Sequence, residues 1–165
     1  MAPTNRDRVG RVIEIVRDGI RERCAAVWQA KYGEGWANDV HSADKAAQGL
    51  PDLDDPLFYL KGIQNTWMSV WKNSFLQAAA RNWTGELREA RNEWAHGGSF
   101  DSDKVLRILD TAELLLKEFS SAEHVTQIQN MKSDLRRLVV DEQSRAEKRK
   151  VLTKATDGEP LRGLS

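Results

Sequence analysis

Residues 86–101 read ELREARNEWAHGGSFD, and the parsing of this stretch decides the fold. Leu87, Ala90 and Trp94 recur at steps of three and four, so they lie along one face of a short helix. The predicted helix runs from about Glu86 to Ala95, with Thr84 as its N-cap and Gly97-Gly98 as its stop. Phe100-Asp101 then opens another helix: if Asp101 caps it, Phe100 and Val105 fall at the two positions of a hydrophobic staple. Arg91 and Asn92 sit off the apolar face, and His96 lands at the helix end.

Working outward, the same helical period extends in both directions. Val105, Leu109, Ala112, Leu116 and Phe119 form one stripe, and Ser120 and Glu123 have the spacing of a capping box for a following helix. That helix carries Ile128, Met131, Leu135, Leu138 and Val139. It runs into the charged segment DEQSRAEKRK (141–150), whose interleaved signs predict a solvated helical extension. Upstream, Asp54 or Asp55 followed by Pro56 announces a helix start. Leu60, Ile63, Trp67, Val70, Trp71 and Phe75 continue it to about Ala79, with Trp67 and Trp71 read as core residues rather than a base-stacking platform. A first helix spans residues 6–30 through Val9, Val12, Ile13, Val16, Ile20 and Val27, with Cys24 on its apolar stripe as a buried core residue. Between them, residues 32–55 form a long connection with a short helix near 41–47, pinned to the body by Trp36.

Composition bounds the possibilities. The chain has 165 residues, 40% of them hydrophobic and 30% charged, with only four prolines, which fits amphipathic helices around one core. Its 25 basic and 25 acidic residues balance, so no global basic field exists and any nucleic-acid site must be a local patch. A single cysteine excludes an internal disulfide and a multi-cysteine metal site. No apolar run approaches the roughly 20 residues of a membrane span, and the N-terminus lacks a signal-peptide core, so a cytoplasmic location is expected. No phosphate loop, paired metal-ligand spacing or nucleophile elbow is present, and no cofactor or metal is expected.

One constellation has chemical potential. Arg91 offers a planar fork of donors suited to a phosphate oxygen, and His96 offers an imidazole that can move a proton. Asn92, four residues before His96, is placed to orient the imidazole or a substrate. Together they supply the minimum for metal-free RNA cleavage by a 2′-hydroxyl. The structural alternative is equally concrete. A histidine in a last helical turn is favoured by the helix dipole, and Arg91 has Glu86, Glu89 or a neighbouring helix as partners.

The segment Arg91-Asn92-Glu93-Trp94-Ala95-His96, preceded by Glu86-Leu87-Arg88 and followed by Phe100-Asp101 and by Leu106, Leu109, Asp110 and Thr111, resembles the signature of the HEPN superfamily. The resemblance is to the subgroup shared by a yeast nuclear-RNA surveillance endonuclease and the N-terminal regions of large bacterial P-loop ATPases. It is strongest over residues 55–140, with residues 1–30 as the family's first helix. It implies an all-α, up-and-down bundle of four to five helices and a homodimer with the motif at its interface. In catalytic members it implies metal-independent endoribonuclease activity in phage-defence or toxin systems. Arg91, Asn92 and His96 are then the catalytic set and RNA the substrate; Glu93 and Trp94 occupy variable positions. Other members keep the fold as a dimerisation or nucleotide-binding module. The Gly- and Pro-containing last stretch reads as a linker over 151–165 after a helical domain over 1–150, and the resemblance implies that it leads to a C-terminal P-loop ATPase domain.

Overall fold

The computed structural model describes residues 2–156, and within them all regular structure is helical. The order is α1 (Asn5–Tyr32), α2 (Trp36–Ser42), α3 (Pro56–Asn65), a 3₁₀ turn (Trp71–Asn73), α4 (Ala79–Ala95), α5 (Ser102–Glu118) and α6 (Ala122–Thr156). The all-α bundle expected from the periodicity is present, with the seven-residue α2 added to five longer helices. No helix among the described residues is long and apolar enough to cross a membrane.

α1 is the central member. Thr4 and Asp7 form a reciprocal capping box at its start, and it packs on α2, α3, α4, α5 and α6. Its buried face runs from Val9 to Trp28 and includes Cys24, whose thiol burial pushes to a higher pKa. Trp28 anchors the aromatic part of the core. It stacks on Trp36 at 5.9 Å, which pins α2 to the body, and meets Trp71 edge-on at 5.7 Å. Its indole N–H donates to Thr66 Oγ1 at 3.0 Å, and that hydroxyl donates onward to the Gly62 carbonyl at 2.6 Å.

Four boundaries differ from the sequence expectation. α3 stops at Asn65 instead of running to Ala79. Thr66 bonds back to the preceding turn, and the amides of Trp71 and Lys72 reach carbonyls five residues back, at Thr66 and Trp67, so the ladder widens into turns. Trp67 and Trp71 still point inward, which is why the apolar spacing outlives the helix. Thr84 does not cap α4; it is buried in the second turn and its hydroxyl donates to the Ala80 carbonyl at 2.7 Å. Ser120 belongs to the end of α5, at φ +55°, and it is Ser121 that precedes α6, with its hydroxyl 2.6 Å from His124 Nδ1. The short helix of the 32–55 connection lies at Trp36–Ser42 rather than 41–47.

α5 and α6 are joined by charge as well as by apolar contact. Lys132 of α6 reaches Asp110 at 2.6 Å and Glu113 at 3.1 Å. α6 buries Ile128 and Leu135, and beyond Val139 the charged run continues as a largely exposed helix, as its mixed signs predicted. The linker reading for 151–165 falls mainly on 157–165, outside the described residues.

Candidate functional site

Ala80, Thr84, Leu87 and Ala90 bury one stripe of α4, and the hexad from Arg91 to His96 occupies its last turn and cap. The helix ends in a Schellman motif. Gly98 N–H bonds the Glu93 carbonyl at 2.7 Å, Gly97 N–H bonds the Trp94 carbonyl at 3.5 Å, and Gly97 takes φ +77°, a region open to glycine. His96 is therefore the C-cap residue, its backbone fixed by a bond from its own N–H to the Asn92 carbonyl at 3.0 Å. Its imidazole is exposed and has no protein partner among the described residues.

Arg91 is held differently. Its Nη2 donates to both oxygens of Asp55, each at 3.3 Å, with side-chain exposures of 23% and 30%. Asp55 is also the N-cap of α3, accepting from Leu57 N–H at 2.9 Å, so one carboxylate starts α3 and anchors Arg91. Nη1 and Nε of Arg91 have no protein partner among the described residues. Five residues along a helix turn about 140° around its axis, so Arg91 and His96 lie on different sides of α4, whereas Asn92 lies on the His96 side. One chain thus pairs Asn92 with His96 and sets Arg91 apart, against α3.

The neighbouring residues fix the surroundings. Arg6 of α1 donates to the Trp94 carbonyl at 2.6 Å and lies 5.4 Å from the centre of its ring, and the ring rests against Gly10. Asn5 donates to the Phe100 carbonyl at 3.0 Å. Glu93 pairs with Lys104 of α5. Glu86 is taken by Arg107 at 2.7 Å and by the Thr111 hydroxyl at 2.7 Å, and the guanidinium beside it lowers its carboxyl below the usual range. A cleft of about 290 Å³ between α2 and α3, lined by His41, Asp44, Phe58 and Lys61, reaches Asp55 and so borders the Arg91 anchor.

Sequence reasoning missed Asp55 as the partner of Arg91. Its position before Pro56 marked a cap, and nothing local could mark a contact 36 residues away. It also missed Arg6 and Asn5, which look like ordinary first-turn residues of a surface helix.

No curated protein matches the chain, and no solved structure does. The family described as Swt1-like HEPN matches residues 11–120, from the second turn of α1 through the end of α5, including the 33–55 connection and the whole hexad. The chain belongs to the Swt1-like HEPN family.

Proposed function

We propose that this HEPN domain is a metal-independent endoribonuclease module that works as a homodimer, with Arg91, Asn92 and His96 as its catalytic residues. The observation that carries the proposal is the capped end of α4. A rigid backbone motif presents an exposed imidazole with no protein partner among the described residues, one turn from Asn92, while Arg91 is anchored through one nitrogen and keeps two for a phosphate. His96 accepts the 2′-hydroxyl proton as the 2′-oxygen attacks phosphorus. The bond from phosphorus to the 5′-oxygen breaks, and that oxygen takes up a proton from solvent water. Arg91 stabilises the charge that builds on the phosphoryl oxygens. Because one chain sets Arg91 and His96 on different sides of α4, a two-fold pair is the economical way to combine them, one chain's arginine with the other's histidine. The setting proposed for the module is a cytoplasmic bacterial defence or stress-response protein. There, residues 1–150 form the domain and 151–165 the linker to a C-terminal P-loop ATPase.

The Arg91–Asp55 ion pair supports a second reading, a non-catalytic HEPN dimerisation or nucleotide- or RNA-binding module in which Arg91 is structural. An RNA cleavage assay in excess chelator separates the two. Wild type is expected to leave 2′,3′-cyclic phosphate ends, and His96→Ala and Arg91→Ala are each expected to lower the rate at least about 100-fold, the scale of a lost general acid–base group. Equal rates for wild type and both variants would remove the nuclease reading and leave the binding module.

A further inference from the structure

A chain with zero net charge must concentrate any affinity for RNA in one place, and α4 has such a place. Arg81, Arg88 and Asn92 are spaced by seven and four residues, so they share one helix face that leads directly to the His96 cap. Arg91, three residues after Arg88, continues the same edge towards α3. From Arg81 to Asn92 the strip covers about 16 Å along the helix axis.

The side chains along it are available. Arg81 is exposed and has no protein partner among the described residues. Arg88 has a neutral hydrogen-bond partner, its Nη1 donating to Gln64 Oε1 at 3.0 Å, and its charge is felt by the Asp44 carboxylate, which is itself paired with Lys61. Gln64 reaches that position because Gly85 has no side chain: a Cβ at Gly85 would stand 2.8 Å from Gln64 Nε2. Gln64, Arg81, Gly85 and Arg88 line one open groove between the end of α3 and the start of α4. Of the nearby carboxylates, Glu86 is taken by Arg107 and Asp44 pairs with Lys61. Glu89 lies about 80° further round the helix than Arg81 and, with Glu86, lines the side of the groove away from Arg91.

We propose that this α4 strip is the docking track for a single strand of RNA, Arg81 and Arg88 contacting successive backbone phosphates and the amides of Gln64 and Asn92 facing ribose or base edges. A single file of guanidinium groups on one helix matches one strand's phosphates, whereas a duplex presents two rows. The track deepens the RNA-directed reading above and rests on it. It delivers the strand to the end of α4, where the 2′-hydroxyl chemistry is placed.

The test measures binding of a fluorescent single-stranded oligouridylate, 2′-O-methylated throughout so that it cannot be cut, as a function of salt. Arg81→Gln/Arg88→Gln is expected to reduce the slope of log affinity against log salt by about 1.4, roughly 0.7 per phosphate contact, and to weaken binding about 25-fold near 0.1 M salt. Arg136→Gln, which removes an exposed charge from α6, is expected to keep the wild-type slope. A double variant with the wild-type slope overturns the track, as does an Arg136→Gln slope that falls equally, or tighter binding of a duplex of the same length. Cleavage of an unmodified strand by the same preparations keeps the two ideas apart. Wild type that binds along the strip without cutting retires the nuclease and leaves the track. Wild type that cuts while the double variant binds unchanged retires the track alone, and wild type that does neither overturns both.

Discussion

The ends of α4 and α5 are the same backbone device put to opposite uses. At the α5 end, Ser121 N–H bonds the Leu116 carbonyl at 3.1 Å and Ser120 N–H bonds the Lys117 carbonyl at 3.0 Å, the Schellman pattern that Gly98 and Gly97 make at the α4 end. The residue at each cap differs. Phe119 is 2% exposed and meets Phe75 edge-on at 5.2 Å, whereas His96 is exposed with no protein partner among the described residues. One end closes the core, and the other offers a titratable ring to solvent. A helix stop is therefore neutral as to function, and its cap residue determines whether it packs or reacts. The left-handed position differs too: glycine holds it at the α4 end, while serine at φ +55° holds it at the α5 end under backbone strain.

Substitutions can break this contrast, starting with the largest expected effect. Phe119→Ala should destabilise the fold by about 3–5 kcal/mol, the usual loss for a buried phenyl ring. His96→Ala should stay within about 0.5 kcal/mol of wild type, as a surface change does. Urea titration compares them, and a His96→Ala loss near that of Phe119→Ala would show that the histidine packs rather than reacts. Gly97→Ala forces a side chain into the left-handed region and should cost about 1–2 kcal/mol in the same titration. Ser120→Gly should move the other way. Relief of about 1–2 kcal/mol of strain outweighs the roughly 0.5–1 kcal/mol entropic cost of glycine, a net gain that thermal melts would register as a small rise in Tm. A Ser120→Gly variant that melts lower than wild type would mean the hydroxyl itself supports the turn.

The two helix ends also show how far the sequence could be read. Gly97-Gly98 advertised its stop, because glycine is the residue a left-handed position favours. Ser120 gave the opposite signal, since serine is a preferred N-cap and a glutamate stood three residues on, so it looked like the start of α6. The Phe100-Asp101 start was legible because cap and staple are local, and Asp101 does accept from Lys104 N–H at 2.8 Å. The end of α3 was not legible: Trp67 and Trp71 keep helical spacing while the backbone beneath them opens into turns. The members of the candidate site were visible as residue types at a spacing. The sidedness of Arg91 and His96 follows from their five-residue spacing, but the Asp55 anchor was hidden, because it arises only when α3 packs on α4.

The first turn of α1 has a consequence for motion. Arg6 holds the Trp94 carbonyl and Asn5 holds the Phe100 carbonyl, so both flanks of the turn that carries His96 are clasped by residues 88 and 95 positions earlier in the chain. A turn fastened at such long range closes late in folding, since the intervening loop must be closed first. In the native state it loosens together with its clasp. The amides from Ala95 to Asp101 should therefore exchange their hydrogens at a pace set by opening of the first turn of α1, which makes that turn the timekeeper for the histidine's surroundings.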